Sequence, residues 1–175
     1  KMDYLDMLID SLNRARERFW RMFKGVTVEQ ANCFPVADTA PQIKSLTWLA
    51  WHTARELDLQ ISALAGQESI WDSQGFKEYF PFEVAETEDG WDHSLEQAQK
   101  IKVDHLDDVL DYLNDATDFA ILYLKSLNPE CLDDIVDDSW TPAVTRGVRL
   151  VSIIDDAAMH SGQAIYARRL LGLKD

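Results

Sequence analysis

Four long stretches of this 175-residue chain repeat their apolar residues every three or four positions, and almost nowhere do apolar and polar residues alternate. That periodicity predicts helices and leaves little from which to build a sheet. The first stretch, residues 3–24, carries Leu5, Leu8, Ile9, Leu12, Ala15, Phe19 and Phe23 at helical spacing. The second, 45–66, opens at Ser45, which can cap a helix N-terminus, and closes at Gly66, which suits a helix end. The third, 94–127, is stopped by Asn128-Pro129, with a break expected near its start. The fourth, 146–171, is followed by Gly172. Thr27 and Gln30 have the spacing of a capping box in the first connection. Amphipathic helices of this length with long connections predict an all-α four-helix bundle, one domain over residues 1–175.

The connection between the second and third helices reads IWDSQGFKEYFPFEVAETEDGW. It is aromatic, interrupted by Gly and Pro, and too long for a tight turn. Such a segment predicts an irregular crossover with at most short helices, packed over one end of the bundle as a lid or pocket wall.

Charge narrows the function classes. With 17 basic and 31 acidic residues the net charge is −14, which argues against nucleic acid or an anionic membrane as partner. No apolar run is long enough to span a bilayer and no secretory leader is evident, so the expectation is a cytoplasmic protein acting on a small molecule. Cys33 and Cys131 form no CxxC pair and read as free thiols.

The fourth helix contains IIDDAAMHSGQAIYARRLLG, in which Asp156 and His160 stand one turn apart beside a stripe of Leu150, Ile154, Ala157, Ser161 and Ile165. At about 100° per residue they lie roughly 80 to 140° from that stripe, on the edge of the packed face. On the second helix, His52 sits about 120° from the main apolar stripe, on an edge shared with Trp48 and Glu56. Two such edges facing each other would enclose a polar pocket. Asp156 and His160 at i, i+4 can ligate one ion and His52 can add a third donor, leaving positions open as catalytic sites do. The same residues also admit a purely structural reading, with His160 bonded to a carbonyl or to Asp156. The Glu-x-x-His spacing of di-iron bundles and the HExxH of zincins are both absent. His93 and His105 read as solvated loop or helix-start residues, and helix two, with Trp51 about 140° from its core stripe, predicts an exposed apolar face and hence a homodimer.

Two segments carry a resemblance. WLAWHTARELDLQISALAGQ around His52, and WTPAVTRGVRLVSIIDDAAMHSGQAIYARRLLG with its D-x-x-x-H-x-G-Q element, are similar to the corresponding helices of the DinB-like superfamily. The resemblance implies an up-down-down-up four-helix bundle, often homodimeric, with one divalent ion held by His52, Asp156 and His160. Zinc or nickel would suit these donors best, with manganese or iron as alternatives. It further implies a metal-dependent enzyme, such as a transferase or isomerase using a low-molecular-weight thiol (mycothiol-dependent in some members). A metal-dependent hydrolase, or a non-catalytic stress-response or ligand-binding protein retaining the metal, is the alternative. Within that reading Glu56 is the candidate general base or orienting carboxylate, Gln163 and Trp48 line the pocket, and Arg146, Arg149 and Arg168 are candidates for holding an anionic substrate.

Overall fold

The computed structural model describes every residue from Lys1 to Asp175. Four long helices, α1 (Tyr4–Phe23), α3 (Leu46–Ala65), α6 (Leu106–Lys125) and α7 (Arg146–Leu170), are accompanied by short ones, α2 (Val28–Asn32), α4 (Ile70–Ser73) and α5 (Leu95–Gln99). Ser45 accepts from the backbone N–H of Trp48, Thr27 and Gln30 form their capping box, and Gly66 ends α3 in the left-handed conformation at φ 64°. No helix is long and apolar enough to cross a membrane.

The direction of each long helix follows from its side-chain bonds. Arg16 reaches Asp118 and Trp20 reaches Asn114, so α1 and α6 run antiparallel. Arg168 donates to the carbonyls of Met22 and Lys24, which brings the C-terminal ends of α1 and α7 together. Asn32 bonds both Thr47, at the start of α3, and Val103, just before α6, so these two helices start side by side. The result is up, down, down, up, with α1 packed on α6 and α7, and α3 packed on the same two.

The expected third helix is split. Ser94 and Gln97 cap α5, but between Gln99 and Leu106 the chain leaves the helical path to bury Ile101 and Val103. Asn32 replaces the lost helical bonds at Val103 by pairing with its N–H and its carbonyl. A small antiparallel hairpin, β1 (Ile135–Asp137) with β2 (Val144–Thr145), precedes α7, although its sequence carries no strand signal. Arg146 and Arg149 fasten this hairpin rather than a substrate: Arg146 donates to Tyr123, Asp134 and the Cys131 carbonyl, Arg149 to Asp137. Arg168 is likewise occupied by backbone carbonyls.

The crossover after α3 is irregular apart from α4 and a 3-10 turn at Phe76–Tyr79. Its Trp71, Phe80 and Phe82 cluster, with Trp71 and Phe80 both against Tyr112 of α6. Phe82 also meets Trp51 edge-on at 5.7 Å and His93 stacks on the same indole. Trp51 is therefore fully buried, and the exposed apolar face expected there does not exist, because the chain's own crossover covers it. Exposed apolar side chains gather instead on the outer side of α7, at Val148, Val151 and Met159.

Two buried charges of α3 hold the crossover down. Arg55, 1% exposed, donates to the carbonyls of Ala85, Glu86 and Glu88 and lies over the Trp71 ring. The Asp58 carboxylate accepts from the backbone N–H groups of Ile70 and Trp71, the first turn of α4, and from the Tyr112 hydroxyl at 2.7 Å. Burial, and after it the Asp58 charge, push the Tyr112 phenol well above its usual range, so it stays a donor. Replacing Asp58 with Ala leaves three buried donors without an acceptor and should cost about 3 kcal/mol or more. Tyr112→Phe, which removes one donor and leaves the carboxylate its others, should cost about 1–2 kcal/mol. Urea unfolding checks both, and an Asp58→Ala loss no larger than that of Tyr112→Phe would contradict this arrangement.

Candidate metal centre

Helices α3 and α7 run antiparallel, and where they meet, His52 and Glu56 of α3 face His160 of α7. All three residues are buried, and one ligand atom from each lies within 4.8 Å of the others. The i, i+4 spacing puts His52 and Glu56 on one ridge of α3. The imidazoles meet edge to face with centroids 4.7 Å apart, and Trp48 stacks on His52 at 4.5 Å.

Each imidazole is oriented from behind. His52 Nδ1 donates to the Asp89 carbonyl, and His160 Nδ1 pairs with Gln163 Oε1 at 2.9 Å. A carbonyl oxygen only accepts, so each Nδ1 carries the proton and each Nε2 keeps its lone pair. Those lone pairs point toward Glu56: His52 Nε2 is 3.3 Å from Oε1 and His160 Nε2 is 3.6 Å from Oε2. Both distances are long for hydrogen bonds. They match the separation of about 3.4 Å between neighbouring donors at tetrahedral positions around an ion with bonds near 2.1 Å. Imidazoles that give one N–H to a carbonyl and aim the other nitrogen inward have the arrangement of metal ligands. Two neutral imidazoles and a carboxylate could hold one divalent ion.

The local electrostatics favour a cation. Burial outweighs the Glu56 charge at His52 and lowers its pKa. At His160 burial acts in the same direction, but the nearby Glu56 carboxylate, together with Gln163, prevails and the pKa is raised. Asp156, half-buried one turn before His160, is pushed up by burial and then by Glu56. Two carboxylates and two imidazoles thus converge with no Lys or Arg among them.

The structure brings His52 and His160 together as the sequence pattern predicts. Asp156 lies outside the close group of three, near enough for its charge to couple to Glu56 and His160. Glu56 occupies the third position instead. Its signal was present in the sequence, since His52-x-x-x-Glu56 has the same spacing as Asp156-x-x-x-His160. Gln163 takes its place behind His160, and Trp48 flanks His52. His105 is exposed, as expected.

His93, in contrast, is not solvated. Its ring lies flat on Trp51, its Nδ1 accepts from the Trp48 indole N–H at 3.1 Å, and its Nε2 is buried without a hydrogen bond, 3.8 Å from Glu88. The turn that delivers the Asp89 carbonyl to His52 depends on Gly90. Its φ is 99°, and a Cβ there would stand 3.1 Å from His52 Nδ1 and 3.2 Å from both Trp48 and Trp51. Only glycine fits that approach.

A cavity of about 570 Å³ opens directly onto the two histidines. Trp48, Ile43, Trp91, Tyr166 and Leu170 give it apolar walls, and Lys44, held over the Trp48 ring, is its one Lys or Arg. Glu56 does not line this cavity, although both histidines do. The aromatic cluster of the crossover, from Trp71 to Phe82, takes no part in these walls.

Known proteins agree with this architecture. No curated protein matches the chain. The fold is similar to the crystal structure of a conserved protein from Enterococcus faecalis, at 46% identity over 99% of this chain and 100% of that one, with a TM-score of 0.92. Residues 11–164, which include His52, Glu56, Asp156 and His160, match the DinB superfamily. The chain belongs to the DinB superfamily.

Proposed function

We propose that this chain holds one divalent metal ion at His52, Glu56 and His160, with Asp156 as a further oxygen donor, and works as a metal-dependent enzyme on a small, largely apolar molecule. The observation that carries the reading is the matched pair of buried imidazoles, each fixed through Nδ1 and each aiming Nε2 at the Glu56 carboxylate. Zinc and nickel suit the donor set, and manganese or iron remain compatible with it. When bound, such an ion supplies Lewis acidity that lowers the pKa of a thiol or water molecule reaching it. The resemblance to the DinB-like superfamily, which includes thiol-dependent transferases and isomerases, makes S-transfer or isomerisation the reaction class we favour.

The chain's own residues do the rest. Asp89 and Gln163 keep the imidazoles in the tautomer that offers Nε2. The aromatic walls formed by Trp48, Trp91 and Tyr166 displace water and offer flat surfaces to an apolar substrate. Neither Glu56 nor Asp156 lines the cavity, so their part in the site is to hold the ion and set its charge rather than to contact the substrate from the cavity wall.

Metal analysis of protein purified without an affinity-tag metal tests the assignment. His52→Ala and His160→Ala should each lower divalent-metal content by about tenfold or more, and Asp156→Asn by less. His105→Ala should leave it unchanged. A His52→Ala/His160→Ala protein with wild-type metal content would overturn the site.

Affinity should also fall with pH, because a proton and the ion compete for the same Nε2 lone pair. Since the His160 pKa is raised, the decline should begin above the pH of about 6.5 at which a free imidazole titrates. A metal titration at several pH values checks this; affinity independent of pH from 8 down to about 5 would contradict it.

Gly90→Ala changes no ligand, yet it should weaken metal binding by at least about tenfold, since the Asp89 carbonyl must retreat from His52. Circular dichroism should show the bundle intact in the same protein. Unchanged affinity would show that the Asp89 contact does not orient His52.

A further inference from the structure

The groove between the C-terminal parts of α1 and α7 has the opposite electrostatic character to the rest of the molecule. A cavity of about 640 Å³ there is lined by Arg18, Arg21 and Lys24 from the α1 side and by Arg168 and Arg169 from α7. Asp175 is its sole acidic lining residue. Taking these five cations and Asp175 out of the 17 basic and 31 acidic residues leaves the remainder of the chain 18 charges negative.

Most of these cations are not consumed by internal partners. Arg168 is buried and donates to the carbonyls of Met22, Lys24 and Lys174, so its role is structural, although its charge remains. Arg169 pairs with Asp175. Arg18 makes one long contact to Ser161 Oγ at 3.4 Å, and the side chains of Arg21 and Lys24 make no hydrogen bond or ion pair.

Cations often gather at helix C-termini simply to answer the helix dipole. Here α1 and α7 both end beside the groove, and each contributes about half a negative charge. With Asp175 that makes about two negative charges against five positive ones, so a surplus of about three positive charges remains. Helix-end neutralisation does not account for it.

We propose that this groove is a second binding site, independent of the metal centre, for a compact anion carrying at least two negative charges: a phosphate ester or a polycarboxylate. Guanidinium groups on two facing helices present forked donors to such an oxyanion. The size of the cavity admits only a small molecule, and the acidic surface around it repels an extended polyanion such as nucleic acid. Asp175 already places a carboxylate among these cations and acts as a weak internal competitor for the site. The groove and the metal-side cavity share Gly162, whose position has open space beside it, so a bound anion borders the cavity above the histidines.

Isothermal titration with inorganic phosphate and with tricarballylate, at constant ionic strength against a chloride control, tests this. At least one should bind saturably at one site per chain, and the tighter of the two identifies the chemical class. The exposed pair Arg21→Gln/Arg169→Gln should weaken binding by about tenfold or more, while Asp175→Asn should tighten it. Metal content should not change in either. The His52→Ala/His160→Ala protein should bind the anion as the wild type does, which separates this site from the metal reading. No saturable binding, wild-type affinity in the double Arg variant, or loss of binding in the histidine variant would each overturn the proposal.

Discussion

Helix α3 buries an unbroken run of side chains from Leu46 to Asp58, and four of them, His52, Arg55, Glu56 and Asp58, are ionisable. Removing such groups from water is costly unless each finds a partner. Arg55 and Asp58 resolve this by binding the backbone of the crossover, at Ala85 to Glu88 and at Ile70 and Trp71. This fixes the path of a segment with little regular structure of its own. Once held there, the segment brings the Asp89 carbonyl to His52 and lays His93 on Trp51. The order of the candidate centre thus derives from two charges that take no part in it.

The remaining pair, His52 and Glu56, finds its answer across the bundle at His160. Two imidazoles can satisfy one carboxylate as hydrogen-bond donors only if their Nε2 atoms carry protons. With each Nδ1 already donating, an Nε2 proton would make the ring an imidazolium, and the nitrogens stand 3.3 and 3.6 Å from the oxygens. An arrangement that stops short of hydrogen bonding, with Asp156 adding a further negative charge nearby, is better suited to a shared cation than to self-sufficiency.

Charge is also distributed unevenly on the outside. The excess of acidic residues covers most of the surface, while cations collect along the α1–α7 groove and a single Lys44 stands at the apolar cavity. Small anions are thereby attracted to the α1–α7 groove, and large anionic partners are kept away.

The helices, their caps and the pairing of His52 with His160 could be read from the sequence, because they depend on periodicity, on residues such as Ser45 and Gly66, and on i, i+4 geometry. The same reasoning placed Asp156 and His160 on one edge of α7. What it could not settle was which carboxylate, Glu56 or Asp156, comes closest to both imidazoles, since each has the right spacing on its own helix. That is decided by the relative rotation of α3 and α7 in the packed bundle. Trp51 and His93 depart from the sequence pattern for a related reason. Helical periodicity describes how one helix faces its neighbours, but their burial depends on an aperiodic crossover positioned by Arg55 and Asp58 and threaded past them at Gly90. The basic groove, too, arises only in three dimensions, where Arg18 and Arg21 meet Arg169 from the far end of the chain because the tertiary fold sets the last turns of α1 and α7 side by side.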